Sequence, residues 1–492
     1  MIPDILLILI SAGAILLLGQ RIWQKWTIAK ALSPLPGPPS LPLIGNLHQI
    51  AQHVHELYDW KLGNTQIYGQ TYCLRVDLIT NGSIFTSNPK NLEHVLMANH
   101  SNYIKPPMME EILQELLGGS IFNINASGDS TASWKFQRKL IASLFSVNSF
   151  KAWTDTVFLR HLNQLVASID TNLNASVDLE PLVLDWTTNT IYEMAFGSSV
   201  DMDAMHQMHD MVKEAGHLVF LRFTHPWYKF FKWCMPSEYR IKQVISTIDA
   251  VCYATIARQR NAAAEQSATK NVLSEVLRRQ QEGDTEFPIT DRFIRDMMMG
   301  MFLAGRESVG SGILWTIYCI SKHPDVEAKL LEEFGTEPIT YEKANGSKFL
   351  DAVIKETMRI FPPTPVEMRM ALNDDILPDG SFVPGGTMLE YSPYVMGHDA
   401  TRWENAEDFI PERWLKMERR PTAYEYPVFN AGTRSCVGQQ VALVQTKIVV
   451  STLVQRFHFD LVPNDAKPLY GVGLALFPKK GMHVIPRVRS VS

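Results

Sequence analysis

The segment that most restricts how this chain can fold is a ten-residue loop near the C-terminus, Phe429 to Gly438. It reads Phe-Asn-Ala-Gly-Thr-Arg-Ser-Cys-Val-Gly and directly precedes a helical stretch. A cysteine at the positive end of a helix is where a thiolate is favoured over a thiol, and a thiolate can ligate iron. Gly432 and Gly438 let the backbone approach a flat cofactor and offer amide hydrogens to the sulfur. The alternative is that Cys436 is a small buried hydrophobe, the more common role of a single cysteine.

The spacing Phe-x-x-Gly-x-Arg-x-Cys-x-Gly is carried by Phe429, Gly432, Arg434, Cys436 and Gly438. It resembles the haem-binding loop of the cytochrome P450 superfamily, in which thiolate ligation to the iron of haem b favours cleavage of the O–O bond. The resemblance implies that Cys436 is the metal ligand and that Arg434 pairs with a haem propionate.

The resemblance implies a mainly α fold with a smaller β region, a single large cytochrome P450 fold over residues 31–492. The Pro-rich stretch 34–42 is expected to be a stiff, extended strap. Beyond it, no long polar, repetitive or Pro/Gly-rich stretch divides the chain. Alternating side chains predict strands around Tyr72–Val76 and Met482–Ile485.

Composition disfavours several classes of protein. The 492 residues are 46% hydrophobic and 20% charged, with a formal net charge of −5. No basic stripe is present, so nucleic-acid binding is not expected. The cysteines are odd in number and scattered, without a CxxC pair, which disfavours a disulfide framework or a zinc site and fits a reducing compartment.

Residues 1–30 are predicted to be an N-terminal membrane anchor with a basic flank. The apolar run 5–19 is followed by Arg21, Lys25 and Lys30. Cleavable signal peptides usually carry their positive charges before the apolar core, so this order predicts a retained single-pass anchor with the rest of the chain in the cytosol. With the family resemblance, the endoplasmic reticulum is the expected membrane. Fewer residues than the about 20 of a full span are available, so a buried core helix is the alternative.

Trp134 and Arg138 lie four residues apart in a segment that can be helical, so they share one face. An indole N–H and a guanidinium on one face can both meet a single carboxylate. Packing plus a surface charge is the usual role of such a pair. The superfamily resemblance implies instead that both bind a haem propionate, with Arg369 as a further partner.

Glu356 and Arg359 form a Glu-x-x-Arg pattern on one helical face, and Arg413 follows in a Pro-Glu-Arg-Trp segment before Cys436. Many surface helices contain such a pattern by chance. The order of the segments matches the superfamily, and the resemblance implies a buried salt-bridged triad of these three residues that orders the cysteine loop.

The apolar segment Phe302–Pro324 is predicted to be a buried helix. Its Ala-Gly-Arg-Glu-Ser sequence resembles the part of the superfamily's central helix that faces the oxygen-binding side of the haem. Ala304 and Gly305 leave room beside the iron, and a local break in helical hydrogen bonding is expected there. Glu307 and Ser308 are the candidate catalytic residues for proton delivery. The alternative is a solvated Glu307 and a Ser308 bonded to the preceding turn.

The resemblance implies that dioxygen is activated reductively and one oxygen atom is inserted into a C–H bond of a lipophilic substrate. No Gly-rich dinucleotide fingerprint or flavin module is present, so electrons from NADPH must arrive through a separate flavoprotein reductase. The segments 100–122 and 205–235 are expected to set substrate choice.

Within the superfamily, Leu377-Pro378-Asp379-Gly380 and Tyr394-Val395-Met396-Gly397 look like the plant and fungal fatty-acid and alkane hydroxylases. A long-chain fatty acid or alkane is therefore the predicted substrate. An oxidase of sterols, terpenoids or other secondary metabolites is the enzymatic alternative, and a non-catalytic haem sensor or carrier is the alternative from another class.

Overall fold

The structure is a computed structural model, and it describes the ranges 19–20, 23–41, 44–75, 82–126, 128–144, 151–197, 202–224, 228–264, 271–283, 287–462 and 468–489. Most of the predicted anchor, residues 1–18 and 21–22, lies outside these ranges. Within them, no helix combines the length and the apolar character needed to cross a membrane.

Helices make up most of the described chain. They are numbered here in chain order: α1 Leu47–Gln52, α2 Leu57–Tyr68, α3 Pro89–Glu93, α4 Pro107–Leu117, α5 Thr131–Leu144, α6 Leu159–Asp170, α7 Leu179–Phe196, α8 Met202–Thr224, α9 Tyr228–Phe231, α10 Pro236–Ala264, α11 Val272–Glu282, α12 Asp291–Lys322, α13 Pro324–Phe334, α14 Tyr341–Gly346, α15 Lys348–Ile360, α16 Pro393–Gly397, α17 Arg413–Lys416 and α18 Gln439–Arg456. Residues 23–31 are also helical.

The strands are short and form small sheets. They are β1 Thr71–Leu74, β2 Ser83–Thr86, β3 Tyr103–Ile104, β4 Val177–Asp178, β5 Glu367–Ala371, β6 Asp375–Ile376, β7 Phe382–Val383, β8 Met388–Tyr391, β9 Phe457–Leu461, β10 Tyr470–Gly471, β11 Phe477–Pro478 and β12 His483–Val488. One sheet has the order β1-β2-β8-β5-β3, and another has the order β4-β12-β9. In the first sheet β2 and β8 are parallel, and the other neighbours are antiparallel. The predicted mainly α fold with a smaller β region is confirmed.

The predicted strands are found with shifted ends. Strand β1 begins at Thr71, one residue before the predicted start, and ends at Leu74, whereas Val76 lies outside the described residues. Strand β12 begins at His483, one residue after the predicted start. The Pro-rich strap runs along β1, where the amide of Cys73 donates to the carbonyl of Pro36 at 2.8 Å.

The central helix α12 organises the main core. It begins at Asp291, well before the predicted Phe302, because the Thr290 hydroxyl caps it by accepting from the amide of Phe293 at 3.1 Å. It packs closely on α7, since a Cβ added at Gly305 would lie only 2.6 Å from the side chain of Ile191. The helix continues without interruption through Gly305, so the expected break in helical hydrogen bonding is not found.

Two buried arginines fasten α4 to its neighbours. Arg222 on α8 donates to both carboxylate oxygens of Glu238 at 3.0 and 2.7 Å and to Glu115 of α4 at 2.8 Å. Arg295 on α12 donates to Asp249 at 2.6 Å and to the carbonyl of Leu116 at 2.8 Å. Each guanidinium therefore neutralises a carboxylate of α10 while it holds α4. The bond from Arg222 to Glu115 also joins the two predicted substrate segments, because each residue lies in one of them.

Arg222→Gln should destabilise the holoprotein by about 3 kcal/mol, because Glu238 is left buried without its counter-ion. A loss at the lower end of the range for a broken buried pair is expected, since the second partner, Glu115, has a side chain that is 45% exposed and stays in contact with water. Urea unfolding followed by tryptophan fluorescence measures the change. The matched control is Arg240→Gln, which removes an exposed guanidinium from Glu214 and should leave the midpoint unchanged. Equal urea midpoints for both variants would show that the ion pair of Arg222 and Glu238 does not stabilise the fold.

Candidate functional site

A cavity of about 310 Å³ lies between the central helix and the cysteine loop. The side chains that line it come from segments far apart in the sequence. The predicted site residues on its wall are Trp134, Arg138, Ala304, Gly305, Ser308, Arg369, Phe429, Arg434, Cys436 and Gly438. Gly432, Glu307 and the triad of Glu356, Arg359 and Arg413 are not on this wall.

The cysteine loop is closed by its own backbone. The amide of Cys436 donates to the carbonyl of Phe429 at 2.7 Å. Gly438 is the N-cap of α18, so the sulfur lies at the amino end of an 18-residue helix. The Cys436 side chain is exposed, and it faces the cavity. An exposed thiol in a concave site is placed to bind a ligand rather than to fill the core.

The Cys436 side chain is accessible from the cavity but enclosed by the surrounding protein, and this burial raises the pKa of its thiol. The backbone amides of Gly438 and Gln439 and the charge of Arg138 act in the opposite direction. The protein alone therefore favours the thiol. A metal ion at the sulfur removes this proton, because a coordinated thiol is deprotonated outright. The arrangement fits a cysteine that becomes a thiolate on metal binding.

Gly432 is constrained by a close contact with protein backbone. Its φ is 62°, and a Cβ there would lie 2.1 Å from the carbonyl oxygen of Leu96. Leu96 belongs to the π-helical turn His94–Ala98. The glycine is required because the loop passes directly against this turn, and its contact is with protein backbone.

Basic side chains converge on one end of the cavity. Lys105, Arg138, Arg369 and Arg434 line it, and among the described lining residues Glu367 is the one carboxylate. Burial and the positive charges of Arg434 and Arg369 lower the pKa of Lys105 to about 7. Burial and the charge of Arg369 likewise lower the pKa of Arg434 to about 10. This end of the cavity therefore favours an anionic ligand.

Trp134 provides a neutral donor at the same end. Two guanidiniums lie close to its ring, with Arg434 at 5.1 Å and Arg138 at 5.5 Å from the ring centroid. The indole Nε1 is buried, and no hydrogen-bond acceptor for it is found among the described residues. A buried donor without a partner is costly, so a ligand acceptor is expected there.

The predicted triad is assembled below the cavity. Arg359 donates to both oxygens of the Glu356 carboxylate at 3.0 and 2.9 Å, and Arg413 donates to Oε1 at 2.9 Å. Glu356 and Arg359 are fully buried. The triad packs under the segment that leads to the cysteine loop, because the Tyr426 hydroxyl donates to the carbonyl of Lys355 at 2.9 Å.

The two candidate catalytic residues face in different directions. Ser308 lines the cavity, and its hydroxyl donates to the carbonyl of Ala304 at 2.6 Å. Glu307 is ion-paired with Arg306. The bond of Ser308 to the preceding turn is the alternative noted from the sequence, and the structure contains it.

A family model described as Cytochrome P450 matches residues 35–485. The chain belongs to the cytochrome P450 family. Its relatives include cytochrome P450 94B3 of Arabidopsis thaliana, 30% identical over 92% of this chain and 92% of the relative. Cytochrome P450 704C1 of Pinus taeda is 29% identical over 86% of this chain and 87% of the relative.

Membership of the cytochrome P450 family makes this chain a monooxygenase that uses haem b and takes its electrons from a reductase partner. The cavity fits this cofactor. The thiol of Cys436 lies on its wall and would ligate the iron. Basic side chains and the indole N–H of Trp134, which has no acceptor among the described residues, lie at one end and would bind the two propionates. The pocket of this P450 therefore has both the soft ligand and the anion site that the cofactor requires.

Sequence reasoning missed Lys105 and Glu367 on the cavity wall. Lys105 is a lone basic residue between Ile104 and Pro106. A single lysine in an apolar, Pro-rich setting was the available signal, but nothing local shows which cavity it faces.

Trp134→Phe should weaken haem retention by this P450 by about tenfold, because a hydrogen bond to a charged acceptor contributes roughly 1.5–3 kcal/mol. Phenylalanine keeps an aromatic ring close to the two guanidiniums and removes the Nε1–H. The transfer rate of haem to an excess of apomyoglobin is the measurement. An unchanged rate would mean that the indole does not bind the cofactor.

Proposed function

We propose that this cytochrome P450 hydroxylates a long-chain fatty acid or an alkane, with Cys436 as the thiolate that would ligate its haem iron. The observation that carries the thiolate assignment is the exposed Cys436 side chain in the cavity beneath Ala304, Gly305 and Ser308 of the central helix. When bound, the haem supplies the activation of dioxygen.

The propionate end of the site is assigned to Trp134, Arg138, Arg369 and Arg434, with Lys105 beside them. The shortage of carboxylates among the lining residues supports this assignment. Phe429 and Gly438 flank the sulfur, while Gly432 shapes the loop that holds it. The triad of Glu356, Arg359 and Arg413 fixes the support beneath the loop.

Glu307 and Ser308 are proposed to deliver protons on the oxygen side. Ser308 is the hydroxyl of this pair that reaches the cavity, and Ala304 and Gly305 leave space beside it. The Ser308 hydroxyl must leave the carbonyl of Ala304 before it can donate into the cavity. Glu307 is then the acid that restores its proton.

A lipophilic substrate is supported by the rest of the lining. Away from the charged end, the wall is mainly apolar, and it includes Ile121, Phe122, Met301 and Val309. Within the described residues of 205–235, none lines the cavity. The choice of fatty acid or alkane comes from the Leu-Pro-Asp-Gly and Tyr-Val-Met-Gly motifs.

We further propose an NADPH-dependent flavoprotein reductase as the electron donor and a single-pass anchor in residues 1–30 that holds domain 31–492 on the cytosolic side of the endoplasmic reticulum. Phe230, Phe231 and Trp233 are 76%, 52% and 73% exposed. Such a group of exposed aromatic side chains suits the interfacial region of a membrane.

The substrate assignment is tested with purified P450, reductase and NADPH. A panel of fatty acids and alkanes of graded chain length is compared with sterols and terpenoids. We expect a substrate-induced spin shift and a hydroxylated product from the first group. Products from the sterols or terpenoids alone would show that the fatty-acid or alkane assignment is wrong. Separately, a ferrous carbon monoxide spectrum typical of imidazole ligation would exclude Cys436 as the ligand of the haem iron.

Ser308→Ala should leave haem bound and lower the product formed per NADPH by about tenfold, because one positioned proton donor is lost. Ser321→Ala is a matched control on the same helix, since its hydroxyl also bonds the carbonyl four residues earlier, Ile317, at 2.8 Å. Product, NADPH and peroxide are measured together. Equal product yields from the two variants would remove Ser308 from the mechanism.

A further inference from the structure

The segment Ala304–Ser308 divides its side chains between two sides of the central helix. Ala304, Gly305 and Ser308 line the cavity, whereas Arg306 and Glu307 are not among the described lining residues. Successive residues of a helix are rotated by about 100°. The acid proposed to feed protons is therefore turned away from the place where they are used.

Arg306 accounts for the position of Glu307. Its guanidinium is 1% exposed, and Nη1 donates to Oε1 of Glu307. Nε donates to the hydroxyl of Thr188 on α7 at 3.2 Å, and Thr188 is itself buried. The rigid fork of an arginine can hold two acceptors at once in this way.

Leaving a buried guanidinium without a counter-ion costs free energy, so Arg306 favours a conformation of Glu307 in which the two side chains are paired. The carboxylate of Glu307 supplies that counter-ion, and its side chain is 24% exposed. The bond to Thr188 fixes the guanidinium against α7, and the guanidinium in turn restrains the carboxylate.

We propose that Arg306 is a positioning residue for proton delivery, which holds Glu307 against α7 and releases it toward Ser308 only when their ion pair opens. The inference rests on the proposed roles of Glu307 and Ser308 and adds the group that controls access between them. It predicts that weakening the ion pair changes the fractions of consumed dioxygen that end in hydroxylated product, hydrogen peroxide and water.

The partition follows from the balance of atoms. Hydroxylation converts RH, dioxygen, two electrons and two protons into ROH and water. Reduction of dioxygen to hydrogen peroxide also uses two electrons and two protons, whereas reduction to two waters uses four of each. Mistimed proton delivery therefore appears as peroxide released per NADPH oxidised, with or without an organic substrate.

The test is a double-mutant cycle on the haem-loaded protein with its reductase. Arg306→Lys keeps the charge but cannot hold Thr188 and Glu307 together. We expect Arg306→Lys to raise the peroxide released per NADPH by roughly threefold or more. This effect is smaller than the 10²–10⁴-fold contribution of a general acid or base to the rate, because Glu307 itself is retained. The double variant with Glu307→Gln should release no more peroxide than Glu307→Gln alone, because Arg306 acts through Glu307.

A readout independent of turnover is the thermal unfolding midpoint of the ferric holoprotein. The shifts caused by Arg306→Lys and Glu307→Gln should be non-additive if the two side chains are paired. Thr188→Val is the milder variant, and it should raise the peroxide fraction in the same direction while haem stays bound. Arg278→Lys, on an exposed arginine paired with Glu275, is the control and should change neither readout.

The outcomes separate the two proposals. A wild-type peroxide fraction in Glu307→Gln would reject the acid role of Glu307, and the inference about Arg306 with it. A raised fraction in Glu307→Gln with a wild-type fraction in both Arg306→Lys and Thr188→Val would overturn the inference alone. Additive peroxide effects in the double variant would show that Arg306 acts only through general stability. Absence of any hydroxylated lipid would reject the substrate assignment and leave the Arg306 result intact.

Discussion

The carboxylate of Glu356 is fully buried and accepts hydrogen bonds from five donor atoms on Arg359, Ile410, Arg413 and Trp414. It therefore uses all of its roughly four lone-pair sites. Arg359 extends the network to the carbonyls of Gly397, Ala406 and Asp408. One buried carboxylate thus helps to tie α15 to the segment 398–412, which joins α16 to α17 and contains turns but no helix or strand.

Contacts of this network extend to the cysteine loop. Trp414 packs edge-on against Tyr426 with ring centroids 5.0 Å apart, and Tyr426 directly precedes the turn Pro427–Phe429. The carbonyl of Phe429 then holds the amide of Cys436. Such a buried network adds little net stability relative to an apolar core, but it specifies one arrangement of a loop that has to be rigid.

Both guanidiniums of the triad contact the Glu356 carboxylate, whereas basic side chains outnumber carboxylates on the cavity wall. Burial and the positive charges of Arg434 and Arg369 lower the pKa of Lys105, and burial and the charge of Arg369 lower the pKa of Arg434. A dianionic cofactor relieves this repulsion, so its binding free energy also stabilises the fold. Folding of the haem-free chain and uptake of the cofactor are therefore expected to be coupled.

The sequence predicts the parts of this site that are encoded in short spacings, and misses those that depend on contacts between distant segments. The cysteine loop and the Glu-x-x-Arg pair could be found because helical and loop geometry fix them within a few residues. Lys105 could not be predicted as a site residue, because Arg434 and Arg369, which lie near it in space, are hundreds of residues away in the sequence. The start of α12 was missed because a cap at Thr290, rather than the apolar run, determines where that helix begins.

The segment Ala304–Ser308 shows why a short motif can carry more than one role. A guanidinium inside the apolar part of the cavity would have no counter-ion and would occupy the space of the substrate. Helical rotation instead directs Arg306 toward α7, where Thr188 and Glu307 accept its donors. The cavity face then keeps two small residues and one hydroxyl, while the charged groups lie on another side of the same helical turn. Proton supply and substrate space are separated by the geometry of a single helix.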